Sequence, residues 1–227
     1  MDFSEAVGEY GFAIVPDLFP SEYVDELLRR VEAMAPRRSR AGVRHCMGLA
    51  PVAELARNQR MIKMAQEVLG YEAFPYRATL FDKSSQSNWL VVWHQDKALP
   101  VLCREDIDGW GPWSTKDGVE YAHAPCSVLG QVLALRLHLD ESTAGNGPLR
   151  VLPRTHQLGV LSDVAVEQLS SRIDSEPCLC AKGGVIAMRP LLVHASSKSR
   201  LEIPRRVLHI EYAASAVIAH PFHWAIA

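Results

Sequence analysis

An excess of charge of either sign is missing from this chain: 24 Lys and Arg face 26 Asp and Glu, for a formal net charge of −2 and a pI near 6.5. Such a balance provides no field to gather nucleic acid or an anionic membrane. The one small basic cluster, Arg37-Arg38-Ser39-Arg40, reads as a solvated loop after a helix. Long apolar runs are missing too, so no segment can span a bilayer as a helix. Met1-Asp2-Phe3-Ser4-Glu5 carries neither a basic n-region nor an apolar h-region, and cytoplasmic residence is the expectation. Cysteine is sparse and odd in number, at five, which argues against a disulfide framework. Cys178-Leu179-Cys180 is too tightly spaced for a zinc knuckle and has no partner pair, so it reads as strand packing.

What is present suits one domain over residues 1–227. The chain is 48% hydrophobic, enough for a substantial core, and all-β sandwiches and barrels commonly reach this length undivided. Gly11 to Val15 reads as a short strand ended by Pro16. Ser21 is placed to cap a helix whose apolar positions Val24, Leu27, Leu28, Val31 and Met34 recur at three- and four-residue steps until Pro36. A second helix is expected over Pro51 to Leu69, closed by Gly70. These N-terminal helices buttress a sheet and carry no chemistry. From Tyr76 onward the period changes to two, with strands expected at Tyr76–Lys83, Trp89–Trp93, Val128–Asp140, Leu149–Pro153, a strand ending at His194, and Arg205–Tyr212.

The chemistry gathers around Trp89-Leu90-Val91-Val92-Trp93-His94-Gln95-Asp96. In an extended chain residues i and i+2 point the same way, so His94 and Asp96 can offer an imidazole nitrogen and a carboxylate oxygen to one point. A third ligand must come from elsewhere, and His194, after the apolar run Gly183–Val193, is the best candidate. Two histidines and one carboxylate with open positions make the facial triad of non-haem Fe(II) oxygenases, unlike the thiolate-rich closed sites of structural zinc.

Phe81-Asp82-Lys83, Trp93-His94-Gln95-Asp96, Asn146-Gly147-Pro148-Leu149-Arg150-Val151-Leu152-Pro153-Arg154-Thr155-His156 and Arg189-Pro190-Leu191-Leu192-Val193-His194-Ala195-Ser196-Ser197 follow one another in this order. On these motifs, from about Gly11 to about Ala213, the chain resembles the phytanoyl-CoA dioxygenase-like family of Fe(II)- and 2-oxoglutarate-dependent oxygenases. The resemblance implies a mainly β protein, a double-stranded β-helix (jelly-roll, cupin-like) with flanking N-terminal α-helices. It implies Fe(II) on His94, Asp96 and His194, with 2-oxoglutarate and O2 as cosubstrates. The distal carboxylate of 2-oxoglutarate falls to Arg205, eleven residues past His194, assisted by the Ser196 hydroxyl, and Lys83 on a preceding strand is either a further cosubstrate contact or a solvated turn lysine. Arg206 faces the other side of its strand, Arg136 is an alternative anchor, His138 reads as packing, and His156 reads as structural or supporting. The implied reaction couples decarboxylation to succinate and CO2 with oxidation of an unactivated C–H bond. Asp96 favours hydroxylation over halogenation, since related halogenating enzymes carry a small residue there.

Lys97 to Cys126 is rich in turn-forming residues and reads either as a substrate lid, with Trp110, Trp113 and His123 lining the pocket and Arg104 a further polar contact, or as a loop that the two Trp residues pin to the barrel. The expected substrate is a small molecule, with no nucleic acid or membrane partner; the oligomeric state is not legible. Three competing readings remain: a cupin-like metalloenzyme that does not use 2-oxoglutarate, a zinc hydrolase, and a non-catalytic metal-binding barrel.

Overall fold

A computed structural model describes residues 1–34, 42–84, 87–219 and 221–226. The Arg37–Arg40 cluster lies outside them. A capping box between Asp2 and Glu5 starts α1 (Phe3–Tyr10), an element not anticipated from the sequence, and β1 (Phe12–Val15) follows. In α2 (Ser21–Met34), Ser21 is the first helical residue rather than the cap, and the Val24 N–H bonds back to the Pro20 carbonyl. The stripe Val24, Leu27, Leu28 and Val31 is buried as its period demands. The helix expected over 51–69 is instead two, α3 (Ala50–Ala56) and α4 (Gln59–Leu69). Asn58 causes the break: its side chain accepts the Arg60 N–H at 2.9 Å and so caps a new helix.

The remaining elements are mostly strands: β2 (Gly42–Val43), β3 (Phe74–Lys83), β4 (Val91–His94), β5 (Ala98–Val101), β6 (Trp113–Lys116) and β7 (Val119–His123), then the single turn α5 (Cys126–Leu129). After it come β8 (Val132–His138), β9 (Leu149–Val151), α6 (Asp163–Ser170), β10 (Glu176–Cys178), β11 (Val185–Met188), β12 (His194–Ser196), β13 (Arg205–Ala213), β14 (Val217–Ala219) and β15 (Phe222–His223). Two antiparallel sheets form a jelly-roll core, one in the order β1-β11-β8-β13-β3-β2 and one in the order β10-β9-β12-β4. Residues 98–123, expected as an irregular lid, fold in large part into a third sheet, β5-β7-β6. Leu129, expected within a strand, lies in α5, and His194 opens a strand rather than ending one.

The large sheet divides the molecule into a dry layer and a polar one. Leu133, Leu135 and Leu137 of β8 and Leu208, Ile210 and Tyr212 of β13 share one buried cluster with α2, α3 and α4. Their neighbours at the alternate positions, Arg136 on β8 and Arg205 and His209 on β13, face inward and line a cavity between the sheets. Cys178 and Cys180 are buried in a second cluster with Val151 and Ile186, as expected for strand packing.

Candidate metal centre

β4 and β12 pair antiparallel with His94 opposite His194, so the two imidazoles are cross-strand neighbours with ring centroids 4.2 Å apart. Asp96 follows two residues after His94, where the Asp96 N–H is held by the Pro190 carbonyl at 2.8 Å. Its Oδ1 lies 3.6 Å from His94 Nε2 and its Oδ2 3.6 Å from His194 Nε2. One donor atom from each of the three residues lies within 4.8 Å of the other two.

The surrounding backbone sets both imidazole tautomers. His94 Nδ1 faces the Val92 carbonyl and His194 Nδ1 the Leu192 carbonyl, each at 2.8 Å. A carbonyl only accepts, so each Nδ1 carries the proton and each Nε2 lone pair is turned toward Asp96. Burial opposes charge on His94, but Asp96 outweighs it and holds that imidazole above its usual pKa. His194 is pushed down to about 3 by burial and by His94. Burial would raise Asp96, yet the two histidines hold its carboxyl well below the ordinary range. Gln95 points the other way and clamps the motif: its amide donates to the Gly159 and Leu191 carbonyls at 2.8 and 2.7 Å, and its oxygen accepts the Leu161 N–H at 2.8 Å.

These ligands open on a cavity of about 140 Å³. At one end of it Lys83, the cross-strand partner of Arg205, donates to Ser196 Oγ at 2.8 Å and to the Ser197 carbonyl at 2.5 Å. The Arg205 guanidinium approaches the same hydroxyl at 3.3 Å, and the hydroxyl donates to the Gly147 carbonyl at 2.9 Å. Gly147, at φ +69°, allows this close packing, because a Cβ there would strike the Ser197 carbonyl. Burial and neighbouring Arg205 push Lys83 down to about 7, while burial and Arg136 push Arg205 down to about 10, still fully charged at neutral pH. Two buried basic groups thus converge on one hydroxyl, an arrangement suited to an anion.

Arg206 turns away, as its alternation requires, to a bidentate pair with Asp140 and a bond to Glu32. His138 is buried beside the inner row, and His156 bonds the Gly8 carbonyl at 3.1 Å, outside the cavity lining. The expected substrate contacts are not brought to the cavity. Trp110 and Trp113 pack on Phe222 with centroids 4.1 and 5.9 Å away, and Arg104 stacks over Trp113. His123 is fixed at the end of β7, where its N–H bonds the Pro112 carbonyl. Among the lining residues with no assigned role, or a different one, are Arg77, Trp89, Arg136 and His209. Strict alternation from Lys83 back along β3, and from Arg205 along β13, would have marked Arg77 and His209 as inward-facing.

The fold and the site together define a jelly-roll barrel whose cavity joins a cluster of two histidines and one carboxylate to a basic end. Residues 7–207 match the family model for Phytanoyl-CoA dioxygenase (PhyH), and the chain belongs to that family. It is 24% identical to L-proline trans-4-hydroxylase of Streptomyces griseoviridis, an alignment covering 74% of this chain. The chain spans 65% of that relative's length. Among solved structures, EctD from S. alaskensis with 2-oxoglutarate and 5-hydroxyectoine has a TM-score of 0.71 at 20% identity, covering 94% of this chain and 75% of EctD. The non-heme alpha ketoglutarate dependent epimerase SnoN from nogalamycin biosynthesis has a TM-score of 0.68 at 16% identity, covering 94% and 81%. These likenesses establish the shared fold.

Proposed function

We propose that this chain is an Fe(II)- and 2-oxoglutarate-dependent oxygenase that oxidises a C–H bond of a small molecule with release of succinate and CO2. One observation carries the reading: the same cavity joins three convergent donors, His94, Asp96 and His194, to a buried anion site made by Lys83, Ser196 and Arg205. The donor set fits Fe(II), since two neutral imidazoles and a carboxylate leave coordination positions open. The anion site suits the distal carboxylate of 2-oxoglutarate, with Arg205 supplying permanent charge and Ser196, its proton given to the Gly147 carbonyl, holding Lys83 and Arg205 together. When bound, the iron would activate O2, which is the oxidant, while 2-oxoglutarate would give up two electrons and leave as succinate and CO2.

The chain's own residues bind and orient. Gln95 and the Val92 and Leu192 carbonyls fix the ligand geometry, while Phe81, Trp89, Val91 and Leu149 give the cavity apolar walls that limit water. The chain works as one unit over 1–227, with the 97–126 segment covering the Arg77 end of the cavity, where Arg77 meets the Ala98 carbonyl and the Tyr121 ring. No described helix is long and apolar enough to cross a membrane. A cytoplasmic setting suits five unpaired thiols.

The test is succinate release from 2-oxoglutarate by protein loaded with Fe(II) or Zn(II), with and without oxygen. Succinate is expected only with iron and oxygen. Turnover of a substrate without oxygen, or failure to bind 2-oxoglutarate, would overturn the assignment.

A further inference from the structure

The cavity has a second cationic row, separate from the Lys83, Ser196 and Arg205 cluster. In the pairing register Arg136 of β8 lies opposite His209 of β13, and Glu211 of β13 lies opposite Arg77 of β3. His209 is four residues along β13 from Arg205, a strand distance of about 13 Å. Arg136 Nη1 donates to His209 Nδ1 at 2.8 Å, which leaves the His209 proton on Nε2, 3.8 Å from Glu211 Oε1. Glu211 is ion-paired with Arg77.

This row does not balance its own charge. Two guanidiniums, Arg77 and Arg136, face one carboxylate of the row, Glu211; the other carboxylate whose charge reaches Arg136, Asp96, is a candidate metal ligand, and burial keeps His209 toward neutrality, so with Asp96 given to the metal one positive charge is left over. The excess sits at Arg136. It is 7% exposed, lines the cavity, has a buried Nε without a hydrogen-bond partner, and among the described residues has no carboxylate ion-paired to it. The Phe81 ring 5.4 Å away offers some compensation, but less than a carboxylate would. A buried guanidinium is costly to hold without an anion, and the open side of this one is the cavity.

We propose that Arg136 receives the carboxylate of the primary substrate, which makes that substrate a small carboxylic acid of amino-acid size. The proposal rests on the oxygenase reading, in which the Lys83 cluster is already committed to 2-oxoglutarate. A cavity of about 140 Å³ suits a small substrate, and Phe81, whose ring lies against Arg136 and His209, offers apolar surface to its carbon skeleton.

The primary experiment needs no variant. The proteinogenic amino acids and their carboxamides, identical except for the charge, are assayed in parallel for stimulation of succinate release by iron-loaded protein. Stimulation is expected from one or more acids and not from the matching amides. Stimulation by amides as strongly as by acids, or by neither set, would overturn the proposal. Cosubstrate binding, followed by the absorbance of the anaerobic Fe(II)–2-oxoglutarate complex, separates the two levels: if the complex fails to form in the native protein, the oxygenase reading fails.

Arg136→Met and Arg136→Lys supply the second arm, with circular dichroism to confirm folding. Arg136→Met is expected to weaken binding of the stimulating acid at least tenfold, read from its perturbation of the same absorbance, while the 2-oxoglutarate Kd stays within about twofold. Arg136→Lys is expected to recover part of the loss. If Arg136→Met weakens 2-oxoglutarate instead, Arg136 serves the cosubstrate and the substrate assignment is wrong.

Discussion

Lys83 and Arg205 are cross-strand partners whose cationic groups meet at the single hydroxyl of Ser196. Burial and the nearby guanidinium push Lys83 down to about 7, so above neutral pH it sits largely uncharged. A carboxylate bound there favours the ammonium form, and binding above that pKa takes up a proton. The affinity for 2-oxoglutarate is therefore expected to fall as the pH rises from about 7 to about 8.5, by up to tenfold per unit. Lys83→Met should bind more weakly at pH 7 and lose this slope. Titrations of 2-oxoglutarate across that range check both; an unchanged slope in the variant would place the titrating group elsewhere.

Arg205 and Arg206 are adjacent, but only Arg205 faces the cavity. Arg205→Ala is expected to abolish succinate formation while Fe(II) still binds, because the guanidinium touches the proposed cosubstrate site and no metal ligand. Arg206→Ala breaks the Asp140 pair and the Glu32 bond on the opposite face. It should cost about 1–3 kcal/mol of stability with 2-oxoglutarate affinity retained. Iron analysis, cosubstrate titration and urea unfolding of the two variants give the comparison.

Gln95 makes three hydrogen bonds from a side chain 4% exposed. Gln95→Ala leaves two carbonyls and one N–H without that partner between the two candidate ligands His94 and Asp96. A loss of about 2–4 kcal/mol in stability is expected. Weakening of Fe(II) binding by about tenfold or more should accompany it, the size seen when groups that orient metal ligands are removed. Iron titration against a denaturant curve measures the two effects separately.

His138, 1% exposed, is pushed down to about 3 by burial and by Arg136 and Arg205. Its pKa is thus lower folded than unfolded, so the unfolded chain takes up a proton first as the pH drops. Its contribution to stability is intact above about pH 6.5 and is lost as the pH falls toward 3. His138→Leu should reduce the acid-induced loss by up to about 1.4 kcal/mol per pH unit below 6. Unfolding curves at pH 7, 6 and 5, as differences between variant and parent, test the slope.

Local periodicity makes most elements legible. The stripe of α2 and the alternation of β8 and β13 each state which residues face the core, because side-chain direction follows from backbone geometry alone. Alternation by itself therefore separates Arg205 from Arg206. Local competition is harder to read: Asn58 looks like an ordinary helix residue although its side chain caps α4, and Ser21 looks like a cap although the helix already includes it. The 97–126 segment resembles an irregular lid because β5 and β6 are short strands that pair with β7, and turn-rich spacing conceals non-local pairing.

The sequence alone determined the chemical vocabulary: a His-x-Asp pair, a distant third histidine, a serine two residues beyond it and an arginine eleven beyond, on strands whose alternation sets their inward faces. Only the tertiary structure decided which of these groups meet. His94 faces His194 because β4 and β12 share a register, Ser196 joins Lys83 to Arg205, and Trp110 and Trp113 are drawn to Phe222 rather than the cavity. The physical reason is that periodicity fixes direction within a strand, whereas proximity between strands depends on pairing and register, which are set by the packing of the whole chain.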